Sequence, residues 1–280
     1  MTSPVYYKQG MYSDAPKREP GLRDRPSGES AVVRSVRATL ARVAKKNGAI
    51  PRPAVTLAFA QSLDGYITAC KGFSTAISGD QSMLMTHQLR AMHDAILVGI
   101  NTVLVDDPRL TVRLADGDDP IPVVLDSRLR TPPTAKLLQQ TRRQAIIATL
   151  PDASSERELR LVEAGARVVR LPEAPGGGIR LMDLFCWLRE HEVNSLMIEG
   201  GSKVISSVLA HCLGDQLVLT IAPKFFGQNG VHAVAALNCA GSLSTPCLTN
   251  VTFEQLGDDV VVWGNLAPAG PAKSAGKDKD

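Results

Sequence analysis

The sequence predicts an α/β fold: a mixed, mostly parallel sheet with helices on both faces and a C-terminal antiparallel hairpin. Three observations carry this expectation. Between residues 54 and 221, short apolar runs of strand character alternate with helical runs; alternation implies crossover connections, hence parallel strands with helices packed on the faces. Val251 to Gln255 and Val260 to Trp263 are separated only by Gly257, Asp258 and Asp259, which suits a hairpin. The apolar fraction is 44% of 280 residues, enough for an extensive core.

Taken in order, residues 1–28 are rich in Pro, Gly, Ser and charge. They are expected to be a disordered arm, because they cannot bury enough apolar surface to offset their ordering entropy. From Glu29 to about Lys46, Val32, Val33, Val36, Leu40 and Val43 recur at helical spacing with Arg between them, predicting an accessory amphipathic helix within 29–50 that lies on the body. Ala54 to Ala60 alternates as a strand. Ser78 and Gln81 resemble a capping box that opens a helix through about Met92. Strands follow at Ala95 to Val98, Ile121 to Leu125 and Gln144 to Thr149. Ser154 begins a helix that Gly165 closes, Arg167 to Leu171 is a strand, and Leu181 to His191 is a helix with Leu184, Trp187 and Leu188 inward. The strand Ser195 to Ile198 leads into a helix, and Gln216 to Ile221 is again a strand. No repeat or break interrupts 51–266, which reads as one domain. Residues 267–280, small or charged with Pro, read as a frayed tail.

Lys plus Arg exceed Asp plus Glu by 31 − 28 = +3, yet residues 1–50 alone carry ten basic and four acidic side chains, leaving the remainder at 3 − 6 = −3. That body lacks the broad basic footprint of a nucleic-acid binder. No stretch of about 20 apolar residues suggests a membrane span. The five cysteines are widely spaced and never form C-x-x-C, which reads as a reduced intracellular protein. No Cys and His cluster suggests a metal, and the zinc deaminase pattern H-x-E with P-C-x-x-C is absent, so the chain is not expected to deaminate. The N-terminus has neither a signal core nor a convincing transit peptide, and a cytoplasmic location is expected.

Four strand ends carry candidate chemistry. At Ile198-Glu199-Gly200-Gly201-Ser202-Lys203 a buried strand ends at a carboxylate, two glycines let the backbone turn closely, and a helix begins. Free N–H groups, a helix dipole and a lysine then converge on one point, which suits a phosphate or pyrophosphate. The spacing is not G-x-G-x-x-G, and no G-x-x-x-x-G-K-[ST] loop is present. After the strand at Ile96 to Val98 come Thr102 and Asp106, one helical turn apart, then Asp107, Pro108, Arg109 and Arg113. Taken by itself, this segment is better explained as solvated loop charges, with Asp106 and Asp107 paired to Arg109 and Arg113. Gln61 to Gly65 runs a strand into an Asp-Gly turn, with Ser74, Ser78 and Arg90 downstream. Asp126, Ser127 and Arg128 close the fourth strand. Four such ends can line one crevice.

As a set, these segments resemble the reductase family of riboflavin biosynthesis, homologous to the C-terminal half of the bacterial bifunctional deaminase-reductase. The resemblance rests on Thr56 to Gly65, Met85 to Arg90, His93 to Gly99, Thr102 to Leu104, Asp106 to Pro108 with Leu110, Val124 to Ser127, Ile198 to Gly201 and Leu219 to Lys224. It covers about 53–266. It implies a dihydrofolate-reductase-like three-layer fold, a homodimer, and NADPH-dependent reduction of the ribose of 2,5-diamino-6-ribosylamino-4(3H)-pyrimidinone 5′-phosphate. It also implies that Gln61, Ala76, Thr102, Asp106, Ser127 and the run Gly200, Gly201, Ser202, Lys203, Val204, Ile205, Ser206 and Ser207 hold NADPH. Ser74, Arg90, Leu110, Arg113 and Glu199 fall where the family holds the pyrimidine ribose phosphate, with Arg90 and Arg113 suited to forking a phosphate and Glu199 to accepting from ribose hydroxyls or an amine.

One departure bears on the substrate. The bacterial bifunctional enzymes place Trp where this chain has Ala76, and its Ala60-Gln61-Ser62 and Met85-Thr86-His87 are closer to the fungal stand-alone enzymes. In those, reduction precedes deamination. The alternatives are reduction of the deaminated uracil, a dihydrofolate-type reductase, or a nucleotide sensor that uses the basic segment before residue 50. Glu199 is the candidate catalytic residue, and Arg128 and Arg130 are candidates for reading the NADPH 2′-phosphate. Val204, Ile205, Val208 and Leu209 could serve either an interface or the core.

Overall fold

The computed structural model describes residues 29–45, 51–139, 142–235, 237 and 246–267; the expected arm at 1–28, the stretch 46–50 and the tail beyond 267 lie outside them. In chain order the first elements are α1 (Ala31–Lys45), β1 (Ala54–Ser62), β2 (Tyr66–Thr68), α2 (Asp80–Ala91), β3 (Ala95–Gly99), α3 (Ile100–Asp106) and β4 (Ile121–Leu125). They are followed by α4 (Lys136–Gln139), β5 (Ile146–Thr149), α5 (Ser155–Glu163), β6 (Arg167–Arg170), α6 (Leu181–Glu190), β7 (Ser195–Gly200) and α7 (Ser202–Ala210). Last come β8 (Gln216–Ala222), β9 (Val231–His232), β10 (Cys247–Leu256) and β11 (Asp259–Ala267).

Nine strands form one sheet in the order β10-β11-β8-β1-β7-β3-β4-β5-β6. All neighbours from β8 to β6 are parallel, and β11 and β10 add antiparallel to that edge. The hairpin is longer than the apolar pattern indicated and turns on Gly257 and Asp258, with Gly257 at φ 66°. Successive strand residues face opposite sides, and the side chains sort accordingly. Val55, Leu57, Leu97, Leu196 and Ile198 pack under α6 and α7. Ile96, Val98, Val124 and Ile147 pack under α3, α4 and α5 on the other face. There too, Ala58, Met197, Val218 and Trp263 pack against α1 and α2. The result is the expected three-layer arrangement.

α1 is part of this core rather than a loose attachment, since Val32, Val33, Val36 and Val43 are buried. The Glu254 carboxylate of β10 accepts from the backbone N–H groups of Ala31 and Val32 and so caps the helix. α2 corrects the capping expectation. Gly79, not Ser78, is its N-cap, and no side chain of the helix caps it; instead the Gly79 N–H donates to buried Asp259 of β11 at 2.8 Å. α5 does start as read, with Ser154 accepting from the Arg157 N–H. β2, β9 and α4 have at most four residues each and lack the apolar run that marked the equally short β5 and β6, so they escaped the sequence reading.

Candidate active site

The chain leaving β1 reaches β3 by way of α2, on one face, whereas the chain leaving β7 reaches β8 by way of α7, on the other. The backbone therefore diverges above β1 and β7, the place where open α/β sheets hold ligands. β1 and β7 end their pairing at Leu57 and Ile198, but β1 and β8 continue together to Ser62 and Ala222, so they form a wall beside the shorter strands.

Glu199 stands at the foot of that wall. Its carboxylate receives Arg90 Nε at 2.6 Å and Arg90 Nη2 at 2.7 Å, a parallel fork in which the two side chains are only 9% and 15% exposed. The third Arg90 bond runs from Nη1 to the Thr111 carbonyl at 3.0 Å. Burial opposes the Arg90 charge, but the Glu199 carboxylate outweighs it and raises the Arg90 pKa. Arg90 thus stands paired with Glu199, beside the place where the resemblance puts the substrate. Each Glu199 oxygen retains a second lone-pair direction for a ligand donor.

Arg113 is exposed and differently disposed. Its Nη1 donates to Thr111 Oγ1 at 2.9 Å, and its backbone N–H donates to His87 Nδ1 at 2.9 Å. Burial, then the positive charges of Arg90 and Arg109, lower its pKa, against the opposing carboxylates of Glu199 and Asp119. Leu110, between them, holds φ 57° while its side chain sits in the core at 2% exposure. What it offers a ligand is therefore backbone, in a left-handed turn that non-glycine residues seldom adopt. His87 is buried, with its pKa pushed down to about 4, mainly by burial and secondarily by Arg90 and Arg113. Accepting at Nδ1 places its proton on Nε2, which has no partner within the described residues.

Beyond Glu199 the backbone opens. Gly200 and Gly201 have φ 155° and 96°, and a Cβ on Gly200 would meet nothing within 4 Å. Gly201 lies against Gly99 at the end of β3. α7 starts immediately after, and helix geometry leaves its first N–H groups without intrahelical acceptors. Along the rest of the cofactor run, burial separates the side chains. Val204 and Ile205 are core residues, and the Ser206 hydroxyl donates to the Ser202 carbonyl and accepts from the Ala235 N–H. The same burial assigns Val204, Ile205 and Val208 to packing within the chain rather than to an interface.

The remaining candidates line the neighbouring strand ends. Gln61 closes β1, Thr102 and Asp106 lie on α3 after β3, and Ser127 follows β4. Asp107 departs from the paired-loop reading, since its carboxylate accepts from the Lys136 backbone N–H at 2.9 Å and pairs with Lys136 Nζ. Buried Asp126 accepts from the Thr131 N–H and Oγ1 and so shapes the loop that presents Ser127 to Arg130. Ser74 and Ala76 are exposed, and Lys224 anchors their segment by donating to the Ala76 and Ile77 carbonyls at 2.9 and 2.7 Å. Asp64 gathers Ser62 Oγ and the Phe226 and Gly227 N–H groups, and the Ser62 bond foremost lowers its pKa. Lys224, His87 and Asp64 were not given roles from sequence. Only their place in matching segments distinguished them, since the backbone groups they hold, the Arg113, Phe226 and Gly227 N–H groups and the Ala76 and Ile77 carbonyls, lie 26 to 163 residues away.

The family model described as RibD C-terminal domain matches residues 53–262. The 2,5-diamino-6-ribosylamino-4(3H)-pyrimidinone 5′-phosphate reductase of Methanothermobacter thermautotrophicus is 41% identical over 182 residues, covering 63% of this chain and 80% of that protein. The protein of the same name from Eremothecium gossypii is 37% identical over 231 residues, covering 77% and 89%. The chain spans 57% of the riboflavin biosynthesis protein RibD of Aquifex aeolicus, at 33% identity over 213 residues. Among solved structures, the Saccharomyces cerevisiae riboflavin biosynthesis reductase Rib7 superposes with a TM-score of 0.65 at 25% identity, covering 83% of this chain and all of that one. With three layers, a matching sheet and a match over three quarters of its length, the chain belongs to the RibD C-terminal domain family.

Proposed function

We propose that the chain is an NADPH-dependent reductase that converts the ribose of 2,5-diamino-6-ribosylamino-4(3H)-pyrimidinone 5′-phosphate into a ribityl chain, in riboflavin biosynthesis. One observation carries the reading: a carboxylate fixed by a buried guanidinium lies next in sequence to an open Gly-Gly cradle at a helix start. The two halves of a reductase site, a sugar-binding acceptor and a seat for a dinucleotide, thereby adjoin. Two similar proteins bear the name of this activity.

The residues present fit a dinucleotide. A side chain at Gly200 would fill the space beside α7, and glycine leaves it open for a pyrophosphate to approach the first-turn N–H groups. Gln61 and the Ala76 segment held by Lys224 border the β1 end of this groove, and Thr102 and Ser127 border its β3 and β4 end. A bound reduced nicotinamide nucleotide supplies the hydride.

In the substrate, the C1′–O bond of the ribosylamine breaks as the amine proton passes to the ring oxygen, leaving an imine; hydride then adds at C1′ and a proton from water at nitrogen, and a ribitylamine remains. Glu199 accepts hydrogen bonds from the sugar hydroxyls or ring amine, and Arg90 orients it while holding its charge. The pairing makes Glu199 an acceptor and positioner rather than a proton source. Arg113, with Arg109 beside it, holds the substrate phosphate by charge-assisted bonds. We expect cytoplasmic activity and a homodimer formed through surface other than the buried face of α7, which sedimentation of the purified protein measures. The test of the reading is oxidation of NADPH with the diaminopyrimidinone, the deaminated uracil and dihydrofolate in turn. We expect the first to be consumed fastest, and preference for either of the others overturns the assignment.

A further inference from the structure

A second basic site lies beyond the crevice, and it was not anticipated as a whole from the sequence. A cavity of about 410 Å³ opens between the loop after β4 and the start of α5, lined by Arg130, Thr131, Pro132, Arg157 and Arg160. Arg160 pairs with Glu156 one turn away. Arg130 and Arg157 have only neutral partners: Arg130 Nη2 donates to the Asn101 amide oxygen at 3.2 Å, and Arg157 Nη1 donates to the Arg128 carbonyl at 3.1 Å. Among the described residues neither has a carboxylate partner. Two guanidinium groups are thus held in place, at the mouth of one cavity, without a counter-charge.

The sheet order says what reaches this point. From β1 the strands run β7, β3, β4, β5. At about 4.8 Å per strand, β4 lies about 14 Å from β1 along the row of carboxyl ends. A dinucleotide whose hydride-bearing ring sits between β1 and Glu199, and whose pyrophosphate meets Gly200 and Gly201 between β7 and β3, must continue past β3 and place its other nucleoside at β4 and β5. The loop carrying Arg130 follows β4, α5 carrying Arg157 follows β5, and Asn101, which holds Arg130, belongs to α3 after β3. The substrate phosphate has its own cations in Arg113 and Arg109, near Glu199.

We infer that Arg130 and Arg157, with Arg160 at the rim, bind the phosphate monoester on the adenosine ribose of the cofactor and so set its preference for the 2′-phosphorylated nucleotide. This rests on the reductase reading above. Of the two arginines first singled out from sequence, Arg130 lines the cavity, while Arg128 contributes its backbone carbonyl and the second cation comes from α5. A planar guanidinium suits this task, because it forks a phosphate and keeps its charge at any working pH.

Calorimetric titration of the full chain with adenosine 2′,5′-bisphosphate and with adenosine 5′-monophosphate isolates the one phosphate in question. The wild type is expected to favour the bisphosphate at least tenfold. Arg130→Ala and Arg157→Ala should each weaken the bisphosphate by about tenfold, the loss of one charge-assisted contact, and leave the monophosphate unchanged. Arg113→Ala should leave both titrations unchanged. Bisphosphate binding unaffected by Arg130→Ala and Arg157→Ala, or ribose 5-phosphate weakened by them, overturns the inference, the latter by giving the cavity to the sugar phosphate. Equal turnover of the pyrimidine with NADH and NADPH overturns it while the reductase reading stands. No hydride transfer from either nucleotide overturns both.

Discussion

Arg90 and Glu199 form a buried ion pair, and such pairs are costly to break from one side because the survivor keeps its charge without a counter-ion. Glu199→Gln should therefore lower kcat about 100-fold or more by misplacing the sugar, a loss of positioning, while the affinity for NADPH measured by fluorescence titration stays within about twofold. Unaffected turnover removes Glu199 from the mechanism. Arg113→Ala should instead raise KM for the phosphorylated pyrimidine about tenfold or more and spare KM for NADPH. The dephosphorylated pyrimidine should not register this change, and an equal effect on it would show that Arg113 does not read the phosphate. Stability has its own residue-scale test in His93, which is fully buried, bonded to Thr56 Oγ1 and the Leu89 carbonyl, and held near a pKa of about 4, chiefly by burial. An unfolded histidine titrates near 6.5, so between the two values the unfolded chain binds more protons. The contribution of neutral His93 is then complete above about pH 6.5 and declines as pH falls toward 4, by up to roughly 3 kcal/mol. Urea midpoints should show His93→Gln less stable than wild type near neutrality, with the gap narrowing in acid. A gap that stays constant with pH contradicts the assignment.

Two helices take their caps from the C-terminal hairpin: Glu254 caps α1 and Asp259 holds the start of α2. Glu254→Ala should cost about 1 kcal/mol, read as a lowered denaturation midpoint with activity retained, because α1 carries none of the candidate site residues. Removing the chain through residue 45 is a larger change. It removes four buried valines, three of them (Val32, Val33 and Val36) from the cluster of Trp263, and a loss of several kcal/mol is expected. Residual catalysis under stabilising conditions would agree with a supporting role for α1, whereas an unchanged midpoint would show that the helix does not contribute to the core. Helix starts were the least legible feature in the sequence for the same reason. Ser154 caps α5 from an adjacent position and was read correctly, but Gly79 is served by a residue 180 positions away, and Ser78 with Gln81 imitated a local cap that the chain does not use.

Across the whole molecule, the sequence made the layers legible because the central strands β1, β3, β4 and β7 are apolar runs buried on both faces, and the intervening helices carry a separate period. Strand order and partner choice were not legible from periodicity. That β7 inserts between β1 and β3, and so brings Glu199 to Arg90 across 109 residues, is a product of crossover topology. The candidate residues of the site were therefore named through resemblance, while the structure adds their surroundings: Arg90 pairs with Glu199, and the Ile205 side chain lies in the core. In the proposed reaction, one crevice above β1, β7 and β3 joins a dinucleotide to a sugar phosphate. Purified protein mixed with NADPH and the diaminopyrimidinone ribosylamine phosphate, followed by nucleotide absorbance and product mass, tests it most directly. One NADPH consumed per ribitylamino product is the expected result; no oxidation with this pyrimidine or its deaminated counterpart would contradict it.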